Sequence, residues 1–386
     1  MGDPPVRHLP KDVPVFELLR IKKLENGDPD GGQAPKQPSL WRFTTVLTGF
    51  NLVPGPNIFG GISFALAVQA AYETIHEEVG AEAAANYAVY SLQGSFCAPA
   101  PAQHAVHISI ETIRRSRSFI TRLVTLSQHS VSSDGGPRKF MVAVCDFVLK
   151  GRPSLVEFDT PPLNPVTQGQ WKKATELPSP IKVLEQRMKE AETKGDETLL
   201  AALKSEHDFR NWWNGFCIHV PPPDSLLKDT YMERVRDLPT AQDELSIPDR
   251  RLADWFRILP DLSEASLAKI SAQRPDCVPF RSTSFHRVCL AAMLDQVIPI
   301  AAVSVAKVPE QESAATVTLD FAVRFHRDDD LDANRWFLRE VRSHTASSGR
   351  SLNMSTVWDE MGRIVATNSE QCLYSPRPAP KKAARL

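Results

Sequence analysis

The sequence of 386 residues lacks the short motifs that mark several large enzyme classes. It has no GxSxG, which disfavours a serine hydrolase built on a nucleophile elbow. It has neither GxGxxG nor GxxxxGK, so no dinucleotide site or P-loop is indicated. Its six cysteines include no CxxC pair, and we interpret them as reduced thiols inside the cell. His104 and His107 come without a supporting Cys or carboxylate set, so we expect no metal and no cofactor.

Long hydrophobic runs and an excess of one charge are also missing. The longest apolar stretch, from Val288 to Ala306, is interrupted by Asp295, Gln296 and Pro299, so no membrane span is expected. The opening residues, MGDPPV, lack the apolar run of a signal peptide. The formal net charge is −1, which argues against a protein that binds nucleic acid or anionic membranes through bulk charge.

The composition that remains is that of a globular chain with a substantial core. Hydrophobic residues make up 42% and charged residues 24%, while 31 prolines predict many loops and linkers. We interpret the aromatic cluster of Phe209, Trp212, Trp213 and Phe216 as the local core of a connecting subdomain. The chain is predicted to divide into five parts: a polar segment over 1–40, a first domain over 41–160, a Pro-rich and helical insert over 161–280, a second domain over 281–375 and a tail over 376–386.

The tail ends in a small residue, a basic residue and leucine. Ala384-Arg385-Leu386 is a variant of the S-K-L peroxisomal address, which an import receptor reads on an exposed C-terminus. Prolines at 376, 378 and 380 would hold this tail extended. The sequence therefore predicts a peroxisomal protein that binds the import receptor through Ala384-Arg385-Leu386.

A glycine pair opens the first of two apolar helices. Gly60 and Gly61 precede an alanine-rich run that is predicted to continue to about Glu78, with Gly80 as the stop. The run is apolar on nearly all sides, so we expect the helix to be buried. Apolar and polar residues then alternate, as in strands, over three segments: 106–111, 118–128 and 139–149.

The same order recurs after residue 280. Ser282-Thr283-Ser284 is predicted to cap a second apolar helix from His286 to about Ile298, which Pro299 ends. Alternating strands follow over four segments: 317–324, 336–341, 350–358 and 364–373. We interpret the pattern as an internal duplication of one buried helix followed by an antiparallel sheet. The predicted fold class is α+β, a double hotdog in which each sheet wraps around its own central helix.

Several short sequences occur in a characteristic order within this pattern. They are Phe59-Gly60-Gly61, VYSLQGSF over 89–96, RSFITR over 117–122, Thr318-Leu319-Asp320, Phe325-His326 and GRIVA over 362–366. In order and spacing they resemble the type II acyl-CoA thioesterases, whose single chain carries two fused hotdog domains. The resemblance covers roughly 41–160 and 281–375.

The resemblance implies an enzyme that hydrolyses acyl-CoA with an Asp, a Thr or Ser, and a Gln that together orient a water molecule. Asp295 is the residue at the end of the second helix, and Thr318 is the hydroxyl residue on the first strand after it. The Gln position on the last strand holds Glu370, and Gln371 comes one residue later. Because a one-residue shift turns a strand side chain to the other face, either Glu370 replaces the carboxamide or a bulge brings Gln371 into place.

Three further residues are candidates for contacts with the oxyanion or with CoA. Gly60 and Gly61 expose N–H groups at a helix start, where a carbonyl oxygen or a phosphate could bind. Arg117 lies in a basic run that could meet CoA phosphates. The family usually carries Gln after its FGG sequence, where this chain has Ile62, and histidines where it has Tyr90 and Gln93.

Three functions remain open from the sequence. The first is an acyl-CoA thioesterase that acts in the peroxisome, as a monomer or a homo-oligomer. The second is a catalytically impaired relative that binds acyl-CoA, which the departures at Ile62, Gln93 and Glu370 favour. The third is a hotdog hydratase or dehydratase, because a shared fold does not fix the reaction.

Overall fold

The computed structural model describes most of the chain. The described residues are 7–8, 15–24, 40–47, 50–51, 56–129, 137–201, 203–204, 207, 215–227, 239–309, 312–328 and 331–377. Three aromatic residues of the predicted insert cluster, Phe209, Trp212 and Trp213, and the tail tripeptide Ala384-Arg385-Leu386 lie outside them. Phe216, the fourth aromatic residue, is buried in the main core.

Fourteen strands and six helices organise the described residues. The strands are β1 Arg7–His8, β2 Ile21–Lys23, β3 Leu40–Thr45, β4 Phe50–Asn51, β5 Tyr87–Phe96, β6 His107–Arg115, β7 Phe119–His129, β8 Pro137–Leu149, β9 Cys217–Val220, β10 Leu252–Ile258, β11 Ser313–Phe325, β12 Phe337–Ser347, β13 Arg350–Asp359 and β14 Ile364–Pro376. The helices are α1 Gly60–Val79, α2 Ala81–Ala84, α3 Pro180–Lys194, α4 Glu264–Ala272, α5 Ser282–Leu294 and α6 Ala301–Val305.

Twelve of the strands form one continuous sheet, in the order β2-β3-β6-β7-β8-β5-β11-β14-β13-β12-β10-β9. Every neighbouring pair in it is antiparallel. The two halves join where β5 pairs with β11, with Gly94 opposite Phe321. The predicted double hotdog, with two sheets joined into one surface, is confirmed. Strands β2, β9 and β10 add edges to the sheet that the sequence pattern did not indicate.

The two apolar helices are the centre of the fold. Helix α1 is buried from Gly61 to His76, and it ends at Gly80, whose φ of 84° suits glycine. Helix α5 begins at Ser282, a turn earlier than predicted, and Arg281 in an extended conformation precedes it without a side-chain cap. The predicted Ser282-Thr283-Ser284 cap is therefore wrong, because these residues already form the first turn.

The apolar segment around α5 is a core element of the sheet-wrapped body. Ser282–Val305 has the length and composition to cross a membrane, yet most of it is buried inside the protein. It contains α5, a turn and α6, which pack beneath the second half of the sheet.

The helices α1 and α5 lie against each other in opposite directions: the start of α1 meets the end of α5, and Glu73 of α1 pairs with Arg281 just before α5. The Cα of Gly61 lies so close to α5 that an added Cβ would stand 2.1 Å from the carbonyl oxygen of Ala292. A Cβ on Gly60 would stand 2.7 Å from Oδ2 of Asp295. Only glycine permits this approach, and it brings the start of α1 onto the end of α5.

Substitution of Gly61 by alanine should therefore destabilise the fold. We expect Gly61→Ala to lower the free energy of unfolding by about 1–3 kcal/mol, the usual cost of forcing extra volume into a packed core. Urea unfolding measures this change. Gly169→Ala is the control, because its new Cβ would meet nothing closer than Thr167 Oγ1 at 3.6 Å. Equal stability of Gly61→Ala and the parent would contradict the close helix contact.

Candidate active site

Asp295 lies where the two central helices meet. It follows the last turn of α5 and is only 3% exposed. The backbone N–H of Gly61 donates a hydrogen bond to Asp295 Oδ2 at 2.9 Å. The other oxygen, Oδ1, is buried and accepts no hydrogen bond from the described residues. Helix α1 thus fixes one carboxylate oxygen by a dipole-favoured N–H contact, and the second remains available as an acceptor.

A second carboxyl group, that of Glu370, lies beside Asp295 on strand β14 and is fully buried. The Thr318 hydroxyl donates a hydrogen bond to Glu370 Oε2 at 2.8 Å. The Asn368 amide donates to Glu370 Oε1 at 2.7 Å. The thiol of Cys372 completes the surroundings, 3.8 Å from Oε2.

Of the two candidates for the Gln position, the structure brings Glu370, and not Gln371, to Asp295. Asn368, Glu370 and Cys372 alternate as the buried residues of β14, and Gln371 is half-exposed on the other face. A bulge is present, as one alternative required, but it lies in β11 at Thr318 and leaves the alternation of β14 intact.

The burial of two neighbouring carboxyl groups changes both of their pKa values. Burial raises the pKa of Asp295 to about 6, although Glu370, Gly61 and Thr318 partly offset this rise. Burial and the adjacent Asp295 charge together raise the pKa of Glu370 well above its ordinary value. Because two like charges in contact disfavour each other, ionisation of Asp295 favours the protonated form of Glu370.

The three residues predicted to contact the oxyanion or CoA, Gly60, Gly61 and Arg117, lie in two separate places. The N–H of Gly61 is engaged with the Asp295 carboxylate, and Gly60 faces the same group. Arg117 is exposed in the turn between β6 and β7, where its carbonyl oxygen accepts from the Tyr87 hydroxyl. This turn lies near the C-terminal end of α1, about 30 Å along the helix from Gly60. The structure therefore does not bring Arg117 to Asp295.

The first half of the duplication carries different residues at the matching positions. Strands β5 and β11 each contain one register shift, which begins at Val89 in β5 and at Thr318 in β11. Alignment of the two shifts makes Val89 the counterpart of Thr318. On the partner strands, Cys145 of β8 then corresponds to Glu370 of β14. Apolar and thiol side chains thus replace the hydroxyl and the carboxyl there, so the first half does not repeat this group.

Sequence reasoning missed one neighbour of Glu370, Asn368. Its signal was present, since Asn368, Glu370 and Cys372 give three polar side chains at alternate positions of one strand. Such a polar inner face is unusual for a buried sheet and marks a site. This pattern would have predicted Asn368 as a neighbour of Glu370 if the inward face of β14 had been known.

Comparison with known proteins agrees with this architecture. Two solved structures similar to this chain are the acyl-CoA thioesterase II TesB2 of Mycobacterium marinum (20% identity, TM-score 0.55, 94% of this chain and 98% of that one) and the tesB protein of Mycobacterium avium subsp. paratuberculosis (17%, 0.50, 87% and 93%). A third is a conserved Alicyclobacillus acidocaldarius protein of unknown function with a hot dog fold (17%, 0.52, 90% and 96%). A sequence search of curated proteins found no significant match. The chain is thus a double-hotdog protein.

Sequence models of the family narrow this class. The acyl-CoA thioesterase N-terminal domain matches residues 53–148, and the C-terminal domain matches residues 217–374. Together they span well over half of the chain. The chain belongs to the acyl-CoA thioesterases and is a thioester hydrolase.

The raised pKa of Glu370 predicts a pH-dependent gain in stability when the carboxyl is removed. The unfolded chain ionises Glu370 above about pH 4, whereas the raised pKa in the folded protein keeps the proton on Glu370 to a higher pH, so the parent loses stability as pH rises. We therefore expect Glu370→Gln to be more stable than the parent at pH 8 and equally stable near pH 4.

Urea unfolding at the two pH values measures the difference. Glu360→Gln is a control, since it removes an exposed carboxyl near Arg335 and leaves the buried pair unchanged. The same difference at both pH values would contradict a carboxyl that stays protonated in the fold.

Proposed function

We propose that this acyl-CoA thioesterase uses the Asp295 carboxylate to activate the water that attacks the thioester. The observation that carries the proposal is the convergence of Asp295, Thr318 and Glu370. A helix end and two strands bring these side chains to one buried place, with one carboxylate oxygen left as an acceptor. A base with a pKa of about 6 is ionised at neutral pH and still basic enough to take a proton.

The reaction proceeds by general base catalysis. Asp295 removes a proton from water as the water oxygen attacks the thioester carbonyl carbon. The resulting tetrahedral intermediate collapses with cleavage of the carbon–sulfur bond, and the CoA thiolate takes up the proton that Asp295 holds. The products are the free acid and CoA, and the carboxylate returns to its ionised state.

Glu370 acts in its neutral form in this proposal. A carboxylic acid O–H is a hydrogen-bond donor, as the N–H of a carboxamide is, so a protonated Glu can fill the position that the resemblance assigns to Gln. Thr318 and Asn368 hold the Glu370 carboxyl from two sides and set the direction of its proton. Glu370 thus supports the base and does not compete with it.

Replacement of Asp295 by asparagine tests the base directly. Loss of a general base costs at least about 10²-fold in rate, so Asp295→Asn should lower kcat by that factor and leave KM nearly unchanged. Thiol release from a panel of acyl-CoAs measures both parameters. Asp320→Asn is the matched control, because Asp320 lies nearby on β11 and is exposed.

The companion variant, Glu370→Gln, should hold or raise the activity, because a carboxamide N–H can replace the carboxylic O–H beside Asp295. Hydrolysis by Asp295→Asn at the parent's rate would contradict the assignment of the base. In that case the residue that activates the water lies elsewhere.

We also propose delivery to the peroxisome through Ala384-Arg385-Leu386. This proposal is supported by the sequence alone. A fluorescent fusion that ends in these three residues should enter peroxisomes, and its deletion variant should remain in the cytosol. Import of the deletion variant in cells that lack the parent protein would contradict the proposal.

A further inference from the structure

In the turn that carries Asp295, backbone carbonyls accept hydrogen bonds from side chains of the sheet beneath it. This turn, residues 293–299, is called the α5 turn. Its hydrogen bonds come from Arg339 to Met293 O and Gln296 O (both 2.8 Å), from Asn368 to Leu294 O (3.1 Å), from Asn353 to Ile298 O (2.9 Å) and from Tyr374 to Pro299 O (2.5 Å). The donors belong to β12, β13 and β14, so three neighbouring strands fix the backbone on both sides of Asp295.

The α5 turn contains a strained residue. Val297 has a φ of 73°, in the left-handed region that a β-branched side chain rarely adopts. Such a conformation costs about 1–3 kcal/mol and persists only where the surroundings determine it. The side chain of Val297 is buried in a small apolar cluster beneath the sheet. The hydrogen bonds to the neighbouring carbonyls therefore hold the turn in a shape that it would not adopt alone.

Arg339 makes two of these bonds and is itself fixed in place. It is fully buried, and its Nε and Nη2 donate to both oxygens of Asp254 at 2.9 and 2.8 Å. His219 contacts the same Asp254 carboxyl through Nδ1 at 2.6 Å. Although burial alone would raise it, the Arg339 charge and the His219 contact hold the pKa of Asp254 down to about 2.

The ionised Asp254 binds two nitrogens of the Arg339 guanidinium and leaves the third nitrogen, Nη1, to donate elsewhere. Nη1 of Arg339 reaches the end of α5, where the carbonyls of the last turn and the helix dipole favour a cation. Its two acceptors, Met293 O and Gln296 O, flank Asp295 in the chain. Arg339 therefore caps the end of α5 on both sides of Asp295.

We propose that Arg339, oriented by Asp254, is a positioning residue that holds Asp295 beside Thr318 and Glu370. The proposal rests on the proposed function, because it assigns to Arg339 an effect on catalysis through the base. Among the described residues Arg339 makes no hydrogen bond or ion pair with Glu370 or Thr318, so it acts through the backbone of the α5 turn. A displacement of about 1 Å at a reacting group can cost about 10²-fold in rate.

Arg339→Lys is the informative variant. Lysine keeps the charge but lacks the fork that joins Asp254 to two carbonyls at once. We expect kcat to fall by roughly 10- to 10²-fold while KM changes less than about twofold, because substrate binding does not depend on the exact position of the base. Thiol release and the melting temperature are measured on the same preparations.

Arg122→Lys provides the matched control for lost stability. Arg122 is also fully buried on the inner face of the sheet, and it binds Glu78, Thr74 and Thr112 at the other end of α1. It should lose comparable stability and retain the parent kcat. Equal losses of kcat in Arg122→Lys and Arg339→Lys would reduce the effect to general destabilisation and overturn the proposal, as would a parent-like kcat in Arg339→Lys.

The double variant Asp295→Asn/Arg339→Lys separates the positioning role of Arg339 from the role of Asp295 as the base. If Arg339 acts through Asp295, the double variant should be no slower than Asp295→Asn alone. Losses that multiply would overturn the positioning role while the base assignment stands. Parent-like activity of Asp295→Asn would instead overturn the proposed function, and the positioning role with it.

Discussion

The close contact between α1 and α5 is the constraint on which the rest of the structure depends. Gly61 lies against the Ala292 carbonyl, and no side chain fits between them. Both helices are buried, so the sheets that cover them must join, and they do so where β5 pairs with β11. The same contact places the N–H of Gly61 on the carboxylate of Asp295. One packing requirement thus sets the architecture and the position of the candidate base.

The duplicated fold contains carboxyl groups at matching positions along its two central helices, and their chemistry differs. Glu73 of α1 occupies the position that Asp295 occupies after α5, and it forms an ion pair with Arg281. On the strands of the first half, Val89 and Cys145 stand where the second half has a hydroxyl and a second carboxyl. A Glu73 carboxylate held in an ion pair with Arg281 is not available as a base. The duplication therefore accounts for the fold, and local substitutions make the surroundings of Glu73 and Asp295 chemically different.

Much of this architecture could be predicted from the sequence, because burial and alternation are local patterns. The apolar run from Gly60 and the strands after each helix are examples. The choice between Glu370 and Gln371 could not be made, since it depends on the register of one strand. The separation of Arg117 from Asp295 also required the tertiary fold. Arg339 escaped notice because its partners, Asp254 and the end of α5, are distant in the chain.

The central claim is that Asp295, beside a protonated Glu370, is the base, and the pH dependence of kcat tests it most directly. A base with a pKa of about 6 predicts that kcat falls tenfold for each pH unit below that value, with a slope of one proton. Glu370→Gln should keep this acid limb, because the ionising group is Asp295. A kcat that stays constant from pH 7 down to pH 4 would contradict the account.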